Sequence, residues 1–372
     1  MHVGLNLIFL VPGETGGMEV AAREIIPALV EAARPGVSFT AFVNRDAGPG
    51  PWGELIPRVE VPVHVANRLE WVRGEQQLLP RLAAREGVDL VHSLASTAPL
   101  WGRFKRVVTV HDLIYRRFPE AHAGLRAMGM RMLVPLAVRR SDRVIADSTS
   151  TKRDLVELLG TTAARIDVVP LGIGAISRVA PLGEAELRER FALGERQVLL
   201  ALSAKRPHKN LAALLEACAL LERRPILILG GYPTAHELEL RERAQALGIA
   251  DDVRWPGWLD QAEVEGLWRL SAGFVFPSLY EGFGLPVLEA MARGVAVACS
   301  TAAALPEVAG DAALLFDPDD RRAIADAMTQ LLAGGEAIER LRAAGLQRAS
   351  QFTWERAASL TLDCYARATA GS

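Results

Sequence analysis

The chain alternates short, almost wholly apolar runs with longer stretches whose apolar residues recur three and four apart. The first run, VGLNLIFLV, passes through a glycine-bearing turn into PGETGGMEVAAREIIPALVEAA, which has helical spacing. FTAFVN, VEVPVHV, DLVHS, RVVTVHD, RVIADS and IDVVPLG follow, several with helical stretches behind them. GIGAISRVAPLGEAE breaks this rhythm with glycine and proline and reads as a linker. A second series then begins: QVLLALS, PILILGG, DVRWPG, AGFVFPS, VAVACS and AALLFDP. Continuous apolar strands alternating with helices mean parallel sheets covered on both faces. The expectation is an α/β chain of two doubly wound, Rossmann-like domains facing a central cleft. Residues 1–178 form the first and residues 179–350 the second. No short repeat or low-complexity tract interrupts them.

Composition changes this picture little. At 372 residues, half of them hydrophobic, the chain can build two cores of ordinary size. The net charge of -2 argues against a generic nucleic-acid binder. The charge is uneven: residues 1–180 sum to +4 and the remainder to -6. Basic pairs at 105–106, 116–117 and 139–140 form either an ordinary solvated surface or a face toward an anionic membrane or acceptor. Cys218, Cys299 and Cys364 are far apart without metal-ligand spacing, and read as reduced core thiols of a cytosolic protein. The first apolar run is too short to span a bilayer.

In doubly wound sheets ligands bind at the carboxyl ends of the strands, so polar residues just past each strand are the candidates. The GETGG turn, Gly13 to Gly17, either admits a phosphate to a helix N-terminus or simply makes a tight turn. Its spacing is not G-x-G-x-x-G, which speaks against a dinucleotide-dependent dehydrogenase. His111 and Asp112 follow RVVTV; His111 faces the cleft or fills a core, and Asp112 is placed to cap the next helix. KRPHKN brings Lys205, Arg206 and Lys209 to another strand end, where converging cations suit a diphosphate, with Asn210 positioned to cap the helix behind it. In EGFGLPVLE, Gly282, Phe283 and Gly284 lead into a helix opening at Leu285, with Pro286 in its first turn. The glycine amides and the helix N-terminus suit an anion. Glu281 before the helix and Glu289 inside it can take sugar and ribose hydroxyls. DPDD, Asp317 to Asp320, reads as a turn and helix cap, and no metal is assigned to it.

These stretches carry a resemblance over nearly the whole chain. PSLYEGFGLPVLEAMARGVAV, with VPGETGGMEVAAREI, VVTVHDLIYRRFPE, RVIADSTSTKRDLVE and LPEVAGDAALLFDP, is similar to the retaining glycosyltransferases of family 4, which have the GT-B fold. The resemblance implies transfer of a hexose from a nucleotide-sugar donor, a GDP- or UDP-hexose, to an acceptor hydroxyl of a glycan, lipid or small molecule. It implies retained anomeric configuration and no metal or other cofactor. GDP-mannose is the favoured donor. Glu289 resembles the glutamate on the donor ribose and Glu281 the one near the donor sugar, with the amides of Gly282, Phe283, Gly284 and Leu285 touching sugar and phosphate. Lys209 matches the diphosphate lysine. Gly16 and Gly17 match the glycine loop over the donor phosphate, and His111 the histidine that touches the donor sugar. Arg254 and Gly257 are expected near the base. One departure stands out: where many members have an arginine five or six residues before the lysine, this chain has Ser203 and Ala204, leaving Lys205 or Arg206 as substitutes. The resemblance further implies that residues 351–372 form a helix crossing back to the first domain. The cysteine reading makes the protein cytoplasmic, and the basic pairs of the first domain leave contact with the inner face of a membrane as the alternative to an ordinary solvated surface. The competing readings are a GT-B sugar-nucleotide epimerase or phosphorylase and an inactive accessory subunit. Intact Glu281, Glu289, Lys209 and His111 argue against the last.

Overall fold

The computed structural model describes residues 1–13, 16–119, 124–174 and 179–370, without the side chains of residues 124–128. Glu14 and Thr15 of the glycine turn, Glu120, and residues 175–178 with the expected domain boundary lie outside the described residues. The chain divides into two compact units, Met1–Gly174 with Phe352–Ser372, and Ala175–Gln351.

The first unit holds a seven-stranded sheet: β1 (His2–Leu7), β2 (Ser38–Val43), β3 (Arg58–Glu60), β4 (Leu90–Ser93), β5 (Lys105–Val110), β6 (Arg143–Ala146) and β7 (Ile166–Val168). Their order is β3-β2-β1-β4-β5-β6-β7, every pair parallel. The second unit holds β8 (Val198–Leu202), β9 (Ile226–Gly230), β10 (Val253–Gly257), β11 (Gly273–Phe276), β12 (Val297–Ser300) and β13 (Leu314–Phe316). Their order is β10-β9-β8-β11-β12-β13, again all parallel. Each strand overlaps one of the thirteen apolar runs in the sequence.

Two runs outlast their strands for identifiable reasons. β1 stops at Leu7, although Ile8 and Leu10 beyond it are also buried. The chain turns there, and the buried Asn44 side chain donates to the Ile8 and Leu10 carbonyls, both at 2.7 Å. Burial thus persists while a side chain replaces the ladder. β3 ends at Glu60 because Pro62 has no N–H to carry the ladder further.

The C-terminal helix, Trp354–Thr369, belongs to the first unit. Thr353 caps it by accepting from Arg356 N–H at 3.2 Å. Its buried face, including Trp354, Ala357, Ala358, Leu362 and Tyr365, shares a core with Ala21, Ala22, Ile25, Ile26 and Leu29 of helix α1 (Gly17–Glu31). A fully buried side chain of this kind stabilises the fold by about 1.5–3 kcal/mol relative to exposure. Cys218, Cys299 and Cys364 are buried free thiols, and burial raises all three, Cys218 to about 11.

Candidate active site

In the second sheet the strand order reverses between β8 and β11, the position where doubly wound sheets take ligands. The loops leaving these two strands meet. Leu279 N–H donates to the His208 carbonyl at 2.8 Å. Lys209 Nζ donates to Glu281 Oε1 at 2.6 Å, and it stands 5.2 Å from the centroid of Phe276, the last residue of β11. Both side chains are mostly covered, 17% and 13% exposed, so the pair is held in a partly desolvated place. Lys209 closes a short 3₁₀ turn, Pro207–Lys209, and Asn210 follows with φ +55. Asn210 does not cap the next helix through its side chain as expected. Its Nδ2 donates instead to the Pro318 carbonyl at 2.8 Å.

Past Glu281, Gly284 has φ +116 and precedes the helix Leu285–Ala292, with Pro286 in its first turn. The positive φ calls for glycine, and a Cβ at Gly284 would lie 2.7 Å from Leu305 Cδ2 and push that side chain aside. Glu289 sits in the second turn of this helix. Its carboxylate forms no hydrogen bond or ion pair with the described residues. Burial raises it above the usual carboxylate range against the opposing pull of Arg293. Arg293, four residues on, does not pair with it. The guanidinium makes a bidentate pair with Glu265, at 2.6 and 2.9 Å, and donates to the Glu289 carbonyl at 3.0 Å. Glu265 thereby takes up the neighbouring cation and leaves the Glu289 carboxylate open as an acceptor. Nothing in the local sequence pattern marks Glu265 for this part.

The other candidates of the second unit make different contacts. Lys205 is buried, and its Nζ donates to the Gly231 carbonyl at 2.5 Å. Desolvation lowers it to about 8, with Glu237 opposing. Arg206 is exposed. Arg254 lies early in β10, and its guanidinium is committed to the carbonyls of Phe191, Ala192, Asp251 and Val253, at 2.7, 2.7, 2.8 and 3.2 Å. These bonds make Arg254 a structural strut at the start of β10. Gly257 ends β10 with φ +71 and accepts from Gly231 N–H at 2.8 Å. In DPDD, Asp317 accepts from Asp319 N–H at 2.9 Å, and Asp320 caps the following helix at Arg322 and Ala323 N–H. This is the turn and cap expected from the sequence. Among the described residues no three His, Cys, Asp or Glu side chains are grouped to hold a metal ion.

In the first unit three neighbouring strands each place one residue just past their carboxyl ends: Leu94 after β4, His111 after β5 and Asp147 after β6. His111 Nδ1 donates to Asp147 Oδ2 at 2.7 Å, and Nε2 donates to the Leu94 carbonyl at 2.9 Å. Both partners are acceptors only, so both ring nitrogens carry protons. Burial alone would lower His111, but Asp147, the Leu94 carbonyl and Asp112 together raise it to about 9. Asp147 went unnoticed in the sequence, although its place at the end of RVIAD marks it as a strand-end carboxylate. Asp112 accepts from Ile114 N–H at 3.0 Å at the start of the next helix, as its position suggested. Gly16 opens helix α1 with φ +56 and ψ -131, and both Gly16 and Gly17 are exposed.

Comparison with known proteins fits this geometry. Residues 15–175 match the family model for Glycosyltransferase Family 4, and residues 184–348 that for Glycosyl transferases group 1. The O-antigen chain mannosyltransferase B of Escherichia coli is 32% identical over 70% of this chain and 70% of its own length. The D-inositol 3-phosphate glycosyltransferase of Thermobispora bispora is 27% identical over 96% of this chain and 91% of its own. Against the serotype-specific mannosyltransferase WbdA of Escherichia coli the identity is 29%, and the match spans only 34% of that longer protein. Among solved structures, HepE of Anabaena in complex with UDP and glucose superimposes with a TM-score of 0.75 at 19% identity, covering 98% of this chain and 99% of that one. Two parallel-sheet units, thirteen strands in these orders, and matched models over both halves lead to one statement: the chain belongs to the group 1 glycosyltransferases of family 4 type, transferase enzymes of the GT-B fold.

Proposed function

We propose that this enzyme moves a hexose, with mannose from GDP-mannose as the favoured case, from a nucleoside-diphosphate sugar to an acceptor hydroxyl, with retention and without a divalent cation. The observation that carries this reading is the second unit's strand-end cluster: Lys209 beside Glu281, the helix start at Leu285 behind Gly284, and the unpartnered carboxylate of Glu289. A leaving nucleoside diphosphate gains negative charge. Lys209 and the first amides of the Leu285–Ala292 helix answer that charge. Exposed Arg206 is the further cation placed to join them. The Glu289 carboxylate accepts from the ribose hydroxyls. Lys205 and Arg254 are not included, because both are committed to main-chain carbonyls.

On the first unit, Gly16 and Gly17 at the start of α1 are proposed to meet the donor phosphate. His111, doubly donating and charged, acts as a fixed positive centre rather than a proton acceptor. Among the described residues no carboxylate is evident as a covalent nucleophile. Attack on the leaving-group face, with phosphate oxygen taking the acceptor's proton, is therefore the mechanism proposed for retention. The mannosyltransferase relative supports a mannose donor, and the UDP held by HepE makes UDP-hexoses the alternative. A membrane-borne acceptor is supported by Met132 and Leu136, exposed on the helix Gly124–Arg140 near Arg139 and Arg140. Among the described residues no helix is long and apolar enough to cross a membrane.

A thermal-shift panel of GDP, UDP, GDP-mannose and UDP-glucose tests the donor, since ligand binding to the folded state raises Tm. GDP is expected to shift Tm most; a larger shift with UDP would overturn the choice. The donor selected should then be consumed at the same rate with and without excess chelator. Loss of turnover in chelator, restored by Mg²⁺ or Mn²⁺, would refute the metal-free reading. The anomeric configuration of the product, read by NMR, decides retention.

A further inference from the structure

Two buried polar atoms of the first unit have no hydrogen-bond partner among the described residues, and their side chains line the same small cavity. They are Asp147 Oδ1 and Trp354 Nε1. Asp147 is 2% exposed and Trp354 6%. The cavity measures about 30 Å³, and His92, His111, Thr109 and Thr361 are among its other lining residues. One water needs roughly 10–15 Å³ of such space. An indole N–H only donates and a carboxylate oxygen only accepts. A guest that meets both must accept from one and donate to the other. A cation does not suit the indole proton or the charged His111, and an anion does not suit the carboxylate. Water suits all three.

We propose that this cavity binds water, which accepts from Trp354 Nε1–H and donates to Asp147 Oδ1, and that Trp354 is thereby a positioning residue for His111. The inference rests on the reading of His111 given above. A carboxylate held through one oxygen turns easily about its last torsion, which has a broad, two-fold profile. Oδ2 alone holds His111 Nδ1. A donor on Oδ1 fixes the plane of the carboxylate and so the direction of the imidazole. The donor itself stands on a rigid support. A Cβ at Gly172 would lie 2.4 Å from Trp354 N and 2.6 Å from its Cγ, so the main chain presses on the start of the C-terminal helix. Ile173 N–H donates to the Phe352 carbonyl at 3.0 Å beside it. The other polar groups around the cavity have partners. His92 lies between the Tyr365 hydroxyl at 2.7 Å and Thr109 Oγ1 at 2.8 Å, and Thr361 Oγ1 donates to the Ala357 carbonyl at 2.8 Å. The C-terminal helix thus reaches this layer of side chains through Tyr365 at His92 and through Trp354 and Thr361 at the cavity.

The test uses the full chain with β-(3-benzothienyl)alanine at position 354, which keeps the bicyclic shape and removes only the N–H. The His111 Nδ1–H proton is followed by NMR and assigned by its loss in His111→Gln. In the unsubstituted protein the Trp354 indole proton should show a cross-peak to a long-lived water. In the benzothienyl variant, solvent exchange of the His111 Nδ1–H should quicken by about tenfold, the scale of one lost hydrogen bond. Absence of the water cross-peak overturns the inference. So does unchanged His111 exchange at any Tm; with a lowered Tm it would assign Trp354 to packing alone. GDP-mannose consumption by His111→Gln is read separately: full activity there would remove His111 from the reaction, a failure of the functional reading that leaves the water and exchange results to decide the inference.

Discussion

The two sheets end in groups of opposite character. At the carboxyl ends of β8 and β11, bonding capacity is left open: Glu289 has no partner among the described residues, and Lys209 holds a single carboxylate at the edge of solvent. At the carboxyl ends of β4, β5 and β6, the histidine is closed. His111 donates from both nitrogens to acceptors on the flanking strands. An open carboxylate in a desolvated place is raised above its usual range by burial, against the pull of Arg293. A closed imidazolium is held charged by the partners it has. Under the proposed function, the first arrangement gains contacts on binding, and the second holds a charge and an orientation that binding need not change.

The sharpest way to break this comparison is Lys209→Ala. Loss of one group opposing a developing charge lowers turnover by about 10²–10³. Because Glu281 loses its partner as well, the variant's Tm must be measured beside its rate. Turnover near that of the unsubstituted protein, in a folded variant, would remove Lys209 from the reaction.

The closed site predicts a pH effect of roughly 3 kcal/mol. His111 is raised to about 9 in the folded state from an ordinary value of 6.5. Its charged interactions therefore contribute stability that is fully present below pH 6.5 and is lost as pH rises through about 9. Asp147→Asn removes the main raising influence. The stability difference between the two proteins, from urea unfolding, should be large at pH 6 and shrink by pH 9.5. A constant difference would mean that His111 is not held charged.

Glu289→Gln probes the open site on a smaller scale. Charge-assisted hydrogen bonds are worth about 1.5–3 kcal/mol, so nucleotide affinity should fall roughly ten- to a hundredfold. The loss should shrink for a 2′,3′-dideoxynucleotide. Equal losses with both nucleotides would show that Glu289 is structural. The smallest effect is expected from Lys205→Met, which removes a buried ammonium bonded to the Gly231 carbonyl. Nucleotide affinity should change by less than about twofold, well below 1.4 kcal/mol, with Tm read separately. A loss matching that of Lys209→Ala would return Lys205 to the site.

Much of the fold was legible because burial on both faces leaves a plain mark in the sequence. Every strand overlaps an apolar run, and the glycines and prolines around Gly284 and Pro286 announced a turn into a helix. Strand ends were less legible. Ile8 and Leu10 look like strand in the sequence, yet their carbonyls are satisfied by Asn44, a residue more than thirty positions away. The site was legible as a set of strand-end positions but not as a set of contacts. Asp147 and Glu265 meet His111 and Arg293 from 36 and 28 residues away, across distances that no local pattern records.

Lys205 and Lys209 draw that line most clearly. Sequence by itself determined that a cationic loop follows β8 at the point where the strand order reverses, because apolar runs and their punctuation dictate strands and loops. Two lysines four residues apart in one loop carry the same chemistry in the sequence. Only tertiary structure decided that the first is buried on the Gly231 carbonyl and the second meets Glu281. The reason is physical. The strand pattern follows from which residues leave water, whereas the fate of each ammonium follows from which acceptor the packed sheet brings within reach.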